Sequence, residues 1–193
     1  SVCFWMIGSQ MGSSLIIFSE YYVSRYIGDY HFPASWERAA DPITIILLSP
    51  LFVMLWIRLG DRGPSLPTKF AAAIFLVGAS FLVMGVLSSA AESGLVGWGW
   101  LAMVICMQAV AAILLSPAGL AASSRLSPTG KQGEFLALWF LTVATGFALG
   151  GQLARLKPVF GAAHYFSLLG LFVVGLAGLL FLGRKRLQRL MEA

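Results

Sequence analysis

Charge is what this sequence has least of. Of 193 residues only 11% are charged, 13 Lys and Arg against 8 Asp and Glu. A soluble domain carries about 25%. So few charged side chains cannot coat a globule of this size, though they suffice for the ends of membrane helices. Cysteine is limited to Cys3 and Cys106, which excludes a disulfide scaffold. Both fall in apolar runs and read as small hydrophobes. His31 and His164 are far apart and lack a Cys or second His at ligand spacing, so no metal cluster is expected. There is no Ser/His/Asp order, phosphate loop or nucleotide fingerprint, so no enzyme and no cofactor are expected. The net charge of +5 comes from basic residues scattered singly, apart from the tail. No helix carries a basic stripe with aromatic platforms, and nucleic acid is not expected as a partner. The opening Ser1-Val2-Cys3-Phe4 has neither Met nor a charged leader and reads as a piece of a longer protein.

What is present is hydrocarbon. Hydrophobic residues make up 59% of the chain and the mean hydropathy is +0.85. A membrane span needs about 20 apolar residues. Six such runs occur, roughly at 2–24, 35–59, 68–90, 98–123, 133–154 and 160–182. Between them lie breaks rich in Gly, Pro and polar residues, such as Gly60-Asp61-Arg62-Gly63-Pro64 and Ser127-Pro128-Thr129-Gly130, where helices end. The spacing predicts an all-α membrane protein of six transmembrane helices. Nine basic residues, with Arg184-Lys185-Arg186 in the tail, fall on one side and four on the other. That bias puts both chain ends in the cytoplasm. Tyr21, Tyr22, Tyr26, Trp36, Trp98 and Trp100 gather at the opposite boundary, where amphipathic rings favour the headgroup level. Gly8/Gly12 and Gly146/Gly150 have the spacing of close helix contacts.

Polar residues inside the runs are the candidates for function, because such groups usually face a bundle interior or a watery path. They are Ser9, Gln10, Ser13, Ser14, Glu20, Asp41, Gln108, Ser116, Thr142 and Thr145. For Ser and Thr the simpler reading is a hydroxyl bonded to its own helix. For both Gln it is an interhelical hydrogen bond. Asp41-Pro42 has two readings. It suits a helix N-cap. If the helix starts near Pro33 to Ser35, however, Asp41 lies about two turns inside.

At this point a family resemblance becomes specific. Phe4-Trp5-Met6-Ile7-Gly8-Ser9-Gln10-Met11-Gly12-Ser13-Ser14 resembles the seventh helix of proton-dependent oligopeptide transporters, a branch of the major facilitator superfamily. Pro33-Ala34-Ser35-Trp36 and Asp41-Pro42 through Ser49-Pro50 resemble the eighth helix. Arg58-Leu59-Gly60-Asp61-Arg62-Gly63-Pro64-Ser65 and Pro67-Thr68-Lys69-Phe70 resemble the turn into the ninth. Leu115-Ser116-Pro117-Ala118-Gly119-Leu120 resembles the tenth, and Leu138-Trp139-Phe140-Leu141 the eleventh.

The resemblance implies the carboxy-terminal half of a twelve-helix fold, whose partner is a missing amino-terminal six-helix half. It implies proton-coupled transport of small peptides across the inner or plasma membrane by alternating access, the alternatives being another small solute, a different coupling, or a non-transporting truncated remnant. It implies substrate-binding positions at Trp5, Ser9, Gln10, Asp41, Ala112, Ser116 and Trp139, and a gating loop at Asp61 and Arg62. Three departures stand out. Ser9 and Ala112 occupy positions where the family usually has glutamate, and the family's Asn-Pro is here Asp41-Pro42.

Overall fold

The computed structural model describes residues 1–27, 29–33 and 35–192, with the side chains of Met11, Ile27, Tyr30, Glu37, Asp61 and 189–192 outside the description. Helix dominates. The order is α1 (Val2–Gly8), a 3-10 turn (Ser9–Gly12), α2 (Ser14–Tyr22), β1 (Val23–Ser24), β2 (Tyr26–Ile27), β3 (Tyr30–His31) and α3 (Ser35–Leu59). A 3-10 turn (Gly60–Arg62) leads to α4 (Leu66–Ala90), β4 (Val96–Gly97), α5 (Trp98–Arg125), α6 (Gln132–Ala154), α7 (Lys157–Phe160) and α8 (Ala162–Glu192). Five helices are long and apolar enough to cross a membrane: α4, α5 and α6 in full, residues 38–59 of α3 and residues 162–188 of α8.

The run 2–24 reads as one span, and the structure divides it. Gly8, Gly12 and three serines crowd residues 8–14. These residues favour helix least or compete for its hydrogen bonds. At Ser13 the backbone leaves the helical region, at φ −130° and ψ −73°. The last run reads as ending near 182, but α8 continues through Arg184-Lys185-Arg186 to Glu192. Charge lets a helix leave the bilayer without ending it. The loops also hold short strands that hydropathy does not announce. β1 pairs with β4 in parallel, Val23 opposite Val96, and β2 and β3 form a hairpin. This small cap lies among the exposed rings of Tyr21, Tyr26, Trp36 and Trp100.

Small residues set the closest contacts. α4 and α8 run antiparallel. A Cβ built on Gly78 would lie 2.9 Å from the Val174 backbone nitrogen, and one on Gly170 2.8 Å from that of Leu82. At Gly85 a Cβ would meet the Ser167 hydroxyl. Around this seam Phe81 packs edge-on to Phe166, with Val77, Met84 and Val173 buried beside them. Of the two glycine pairs singled out by spacing, Gly146 and Gly150 take α1 directly against their backbone. A Cβ built on Gly8 or Gly12 would meet no atom within 4 Å. Cys106 is exposed on α5 rather than buried.

Gly85→Val is expected to lower stability by about 1–3 kcal/mol, because Ser167 cannot retreat without parting two helices. Gly151→Ala, whose Cβ would meet nothing within 4 Å, should be neutral or slightly stabilising. Thermal unfolding in detergent compares the two.

Candidate functional site

A helix break leaves carbonyls without donors, and a side chain reaches one of them here. Arg38 Nη2 donates to the Gly12 carbonyl at 3.1 Å. Lys157 Nζ donates to the Ser14 carbonyl at 3.3 Å and sits 5.4 Å over the Phe166 ring. Burial pushes the Lys157 ammonium below the ordinary lysine pKa, since desolvation disfavours the charged form.

Gln10 is the centre of the same region. Its Nε2 donates to the Gly150 carbonyl at 2.7 Å. Its Oε1 accepts from Ser14 Oγ at 2.9 Å and from the Tyr165 hydroxyl at 3.1 Å. The side chain is 1% exposed. One amide thus joins the broken segment to α6 and α8.

Trp5 and Ser9 lie on the same face. Trp5 sits with its Cβ against Gly146 and its ring stacked on Phe147 at 5.8 Å. Its Nε1 is buried without a hydrogen-bond partner among the described residues. Ser9 lies against Gly150, and its hydroxyl turns back to the Met6 carbonyl at 2.8 Å. Thr142 and Thr145 bond to their own helix in the same way.

Asp41 falls at the seventh residue of α3, with Pro42 inside the helix. The helix starts at Ser35, so Asp41 is not its N-cap. It is half-buried, and the described residues offer it no hydrogen-bond or ion-pair partner. Ala112 and Ser116 are half-buried on α5, one turn apart. Trp139 on α6 rests on Gly119 of α5, where a Cβ would collide with its six-membered ring. It also meets Phe70 edge-on at 6.4 Å. Trp139 is therefore beside the Ser116 turn, while Trp5, Ser9 and Gln10 form a separate group that packs against α6 at Gly146 and Gly150. Arg62 is exposed in its 3-10 turn, and the Asp61 side chain lies outside the described residues.

Lys157, Arg38 and Tyr165 escape a reading by hydropathy. Each lies outside the resembling motifs and gains its role only by reaching the broken segment. Gln108 is different. Its side chain is 4% exposed, and both amide atoms lack a partner among the described residues.

Chemically, the arrangement can bind and position. Neither the Ser9 hydroxyl nor the Ala112 methyl can exchange a proton near neutral pH. Asp41 carries a carboxyl group and lies about two turns inside α3, away from the helix ends where the acids Glu92 and Glu134 are found.

Gln10→Leu strands a buried serine, a buried tyrosine hydroxyl and a carbonyl, and is expected to cost about 1–3 kcal/mol of stability. Tyr165→Phe removes one donor and should cost about 1 kcal/mol or less. Unfolding of the two variants in detergent checks the order.

The sequence pattern of the POT family (PTR2) matches residues 1–168. A Di-/tripeptide transporter of Lactococcus lactis subsp. cremoris is 33% identical over 204 aligned positions, covering 99% of this chain. An uncharacterized transporter, YclF, of Bacillus subtilis is 30% identical over 192 residues, covering all of it. The chain spans 39% of the length of each of these relatives. A crystal structure titled peptide transporter POT, in complex with sulfate, superposes with a TM-score of 0.92 at 30% identity. That match covers 100% of this chain and 39% of the other. The apolar helices, their arrangement and these matches together make this chain an integral membrane protein that belongs to the POT family of transporters.

Proposed function

We propose that this chain is the carboxy-terminal half of a twelve-helix peptide transporter of the major facilitator type and forms one wall of its central path. In this reading the broken segment α1–α2 is a sixth span beside the five long helices. The observation that carries the proposal is the 33% identity, over 99% of this chain, to a protein named Di-/tripeptide transporter. Supporting it, this chain covers 39% of that relative's length, which leaves ample room for a second half. The two halves rock about a midplane site, opening it to one side of the membrane at a time. Both ends of this chain face the cytoplasm of an inner or plasma membrane, by the basic-residue bias.

The wall offers Trp5, Trp139 and Ser116 for contact with a small peptide, and Asp41 for its charged groups or for the coupling proton. Gln10 and Ser9 shape the wall by fixing α1 on α6. Asp61 and Arg62 belong to the loop that latches helix ends through the cycle. Lipid surrounds the assembly.

A second reading keeps the fold and changes the cargo: a non-peptide solute, or coupling that does not use protons. The serine at position 9 and the alanine at position 112 favour it, because each removes a carboxylate usual in the family. Vesicles bearing the intact protein separate the readings. Under the first, unlabelled dipeptides compete with labelled dipeptide, nitrate and amino acids do not, and collapsing the proton gradient abolishes accumulation. Asp41→Asn is expected to lower proton-driven uptake at least about tenfold, as loss of a general acid–base group does, while counterflow without a gradient persists. Unchanged uptake and pH dependence would remove Asp41 from the mechanism.

A further inference from the structure

The α4–α8 seam is filled along most of its length and empty at one end. At Gly78 and Gly170 the partner helix occupies the space a Cβ would take. At Gly178, two turns beyond Gly170 on α8, a built Cβ meets nothing within 4 Å. The space is a groove of about 370 Å³ between the two helices, lined by Thr68, Ala71, Ala72, Phe75, Gly178 and Phe181, among others. Apart from Thr68 its walls are apolar, and the Thr68 hydroxyl is already paired with Ser65 at 2.9 Å.

A cation stands at its mouth. The Arg184 guanidinium carbon lies 3.7 Å over the Phe181 ring, half-buried against the groove wall. Stacking on an aromatic face leaves the edge N–H groups of a guanidinium free to bind a phosphate. Lys185 and Arg186 follow in the same turn. The described residues provide Arg184 with no carboxylate partner.

The geometry points to an anionic phospholipid held here, its acyl chain in the α4–α8 groove and its phosphate at Arg184. Charge selects the occupant. An apolar slot alone accepts any hydrocarbon, whereas a basic side chain at its mouth, with no carboxylate partner among the described residues, favours a headgroup of net negative charge. The basic-residue bias that puts this end in the cytoplasm also faces it to the leaflet where anionic lipids attract such clusters.

Native mass spectrometry of the intact transporter, purified in detergent and offered equal phosphatidylglycerol and phosphatidylcholine, tests this. Retained phosphatidylglycerol is expected in clear excess. Arg184→Gln should weaken its retention about fivefold, the effect of one basic residue at an anionic surface. Gly178→Leu fills the groove and should abolish the preference while leaving the melting temperature in lipid-free detergent unchanged. Equal retention of both lipids by the native protein overturns the proposal, as does native-like phosphatidylglycerol retention by both variants. A melting temperature lowered by Gly178→Leu without any lipid, or a changed oligomeric state, means that polypeptide fills the groove, and also overturns it. If the leucine variant does not fold, Arg184→Gln decides.

Discussion

Inside a bilayer a backbone carbonyl has no water to bond, so the protein itself must supply every donor. In the proposed reading that makes it a sixth span, the first helical segment of this chain depends on that constraint. It breaks between Gly8 and Ser14, and a break in hydrocarbon is tolerated only where other groups take over the freed positions. Arg38 from α3 takes the Gly12 carbonyl of the broken turn, Lys157 from α7 donates to the Ser14 carbonyl at the start of α2, and Gln10 reaches from the break to a carbonyl of α6. Through these bonds the break becomes a junction, tying the segment to α3, α6, α7 and α8. A cation that reaches a carbonyl here remains partly desolvated, which is why burial depresses the Lys157 pKa.

The helices then divide by how closely they meet. α4, α8 and α5 carry most of the buried side chains, drawn together where Gly78, Gly85 and Gly170 let backbones touch. Without a hydrophobic force between helices in lipid, such van der Waals fit is what holds them. The candidate wall is looser. The most apolar stretch of α3 has no buried residue, and that of α6 has few. Ile46, Leu47, Leu138 and Leu141 are exposed. Under the proposed function, these exposed faces are the ones open to a second half.

Much of the frame could be read directly from residue order. Long apolar runs and the Gly- and Pro-rich breaks between them place α3 to α6 within a few residues, because hydrocarbon length and helix punctuation are local properties. The bland reading of Ser9, Thr142 and Thr145 as hydroxyls bonded to their own helix is also local, and the structure has those bonds. The break in the first segment was visible only as a cluster of poor helix formers. Whether Gly8, Gly12 and the serines would bend, unwind or pack tightly depended on α6 lying alongside. Spacing treated Gly8/Gly12 and Gly146/Gly150 alike, yet only the second pair has a neighbour close enough to need glycine.

By itself the sequence determined that this chain lives in a membrane, how many apolar runs it has, and which motifs it shares with the POT family. These follow from composition and order, which fix the solvent a segment prefers before any contact forms. Tertiary structure decided the rest. It placed Asp41 inside α3 rather than at its cap, and it brought Gln10 to Gly150 and Tyr165 across about 140 and 155 residues of chain. It also left Gly178 facing an open groove while Gly170 was filled. Each of these turns on distances between helices that are remote in sequence, and no local preference encodes such a distance.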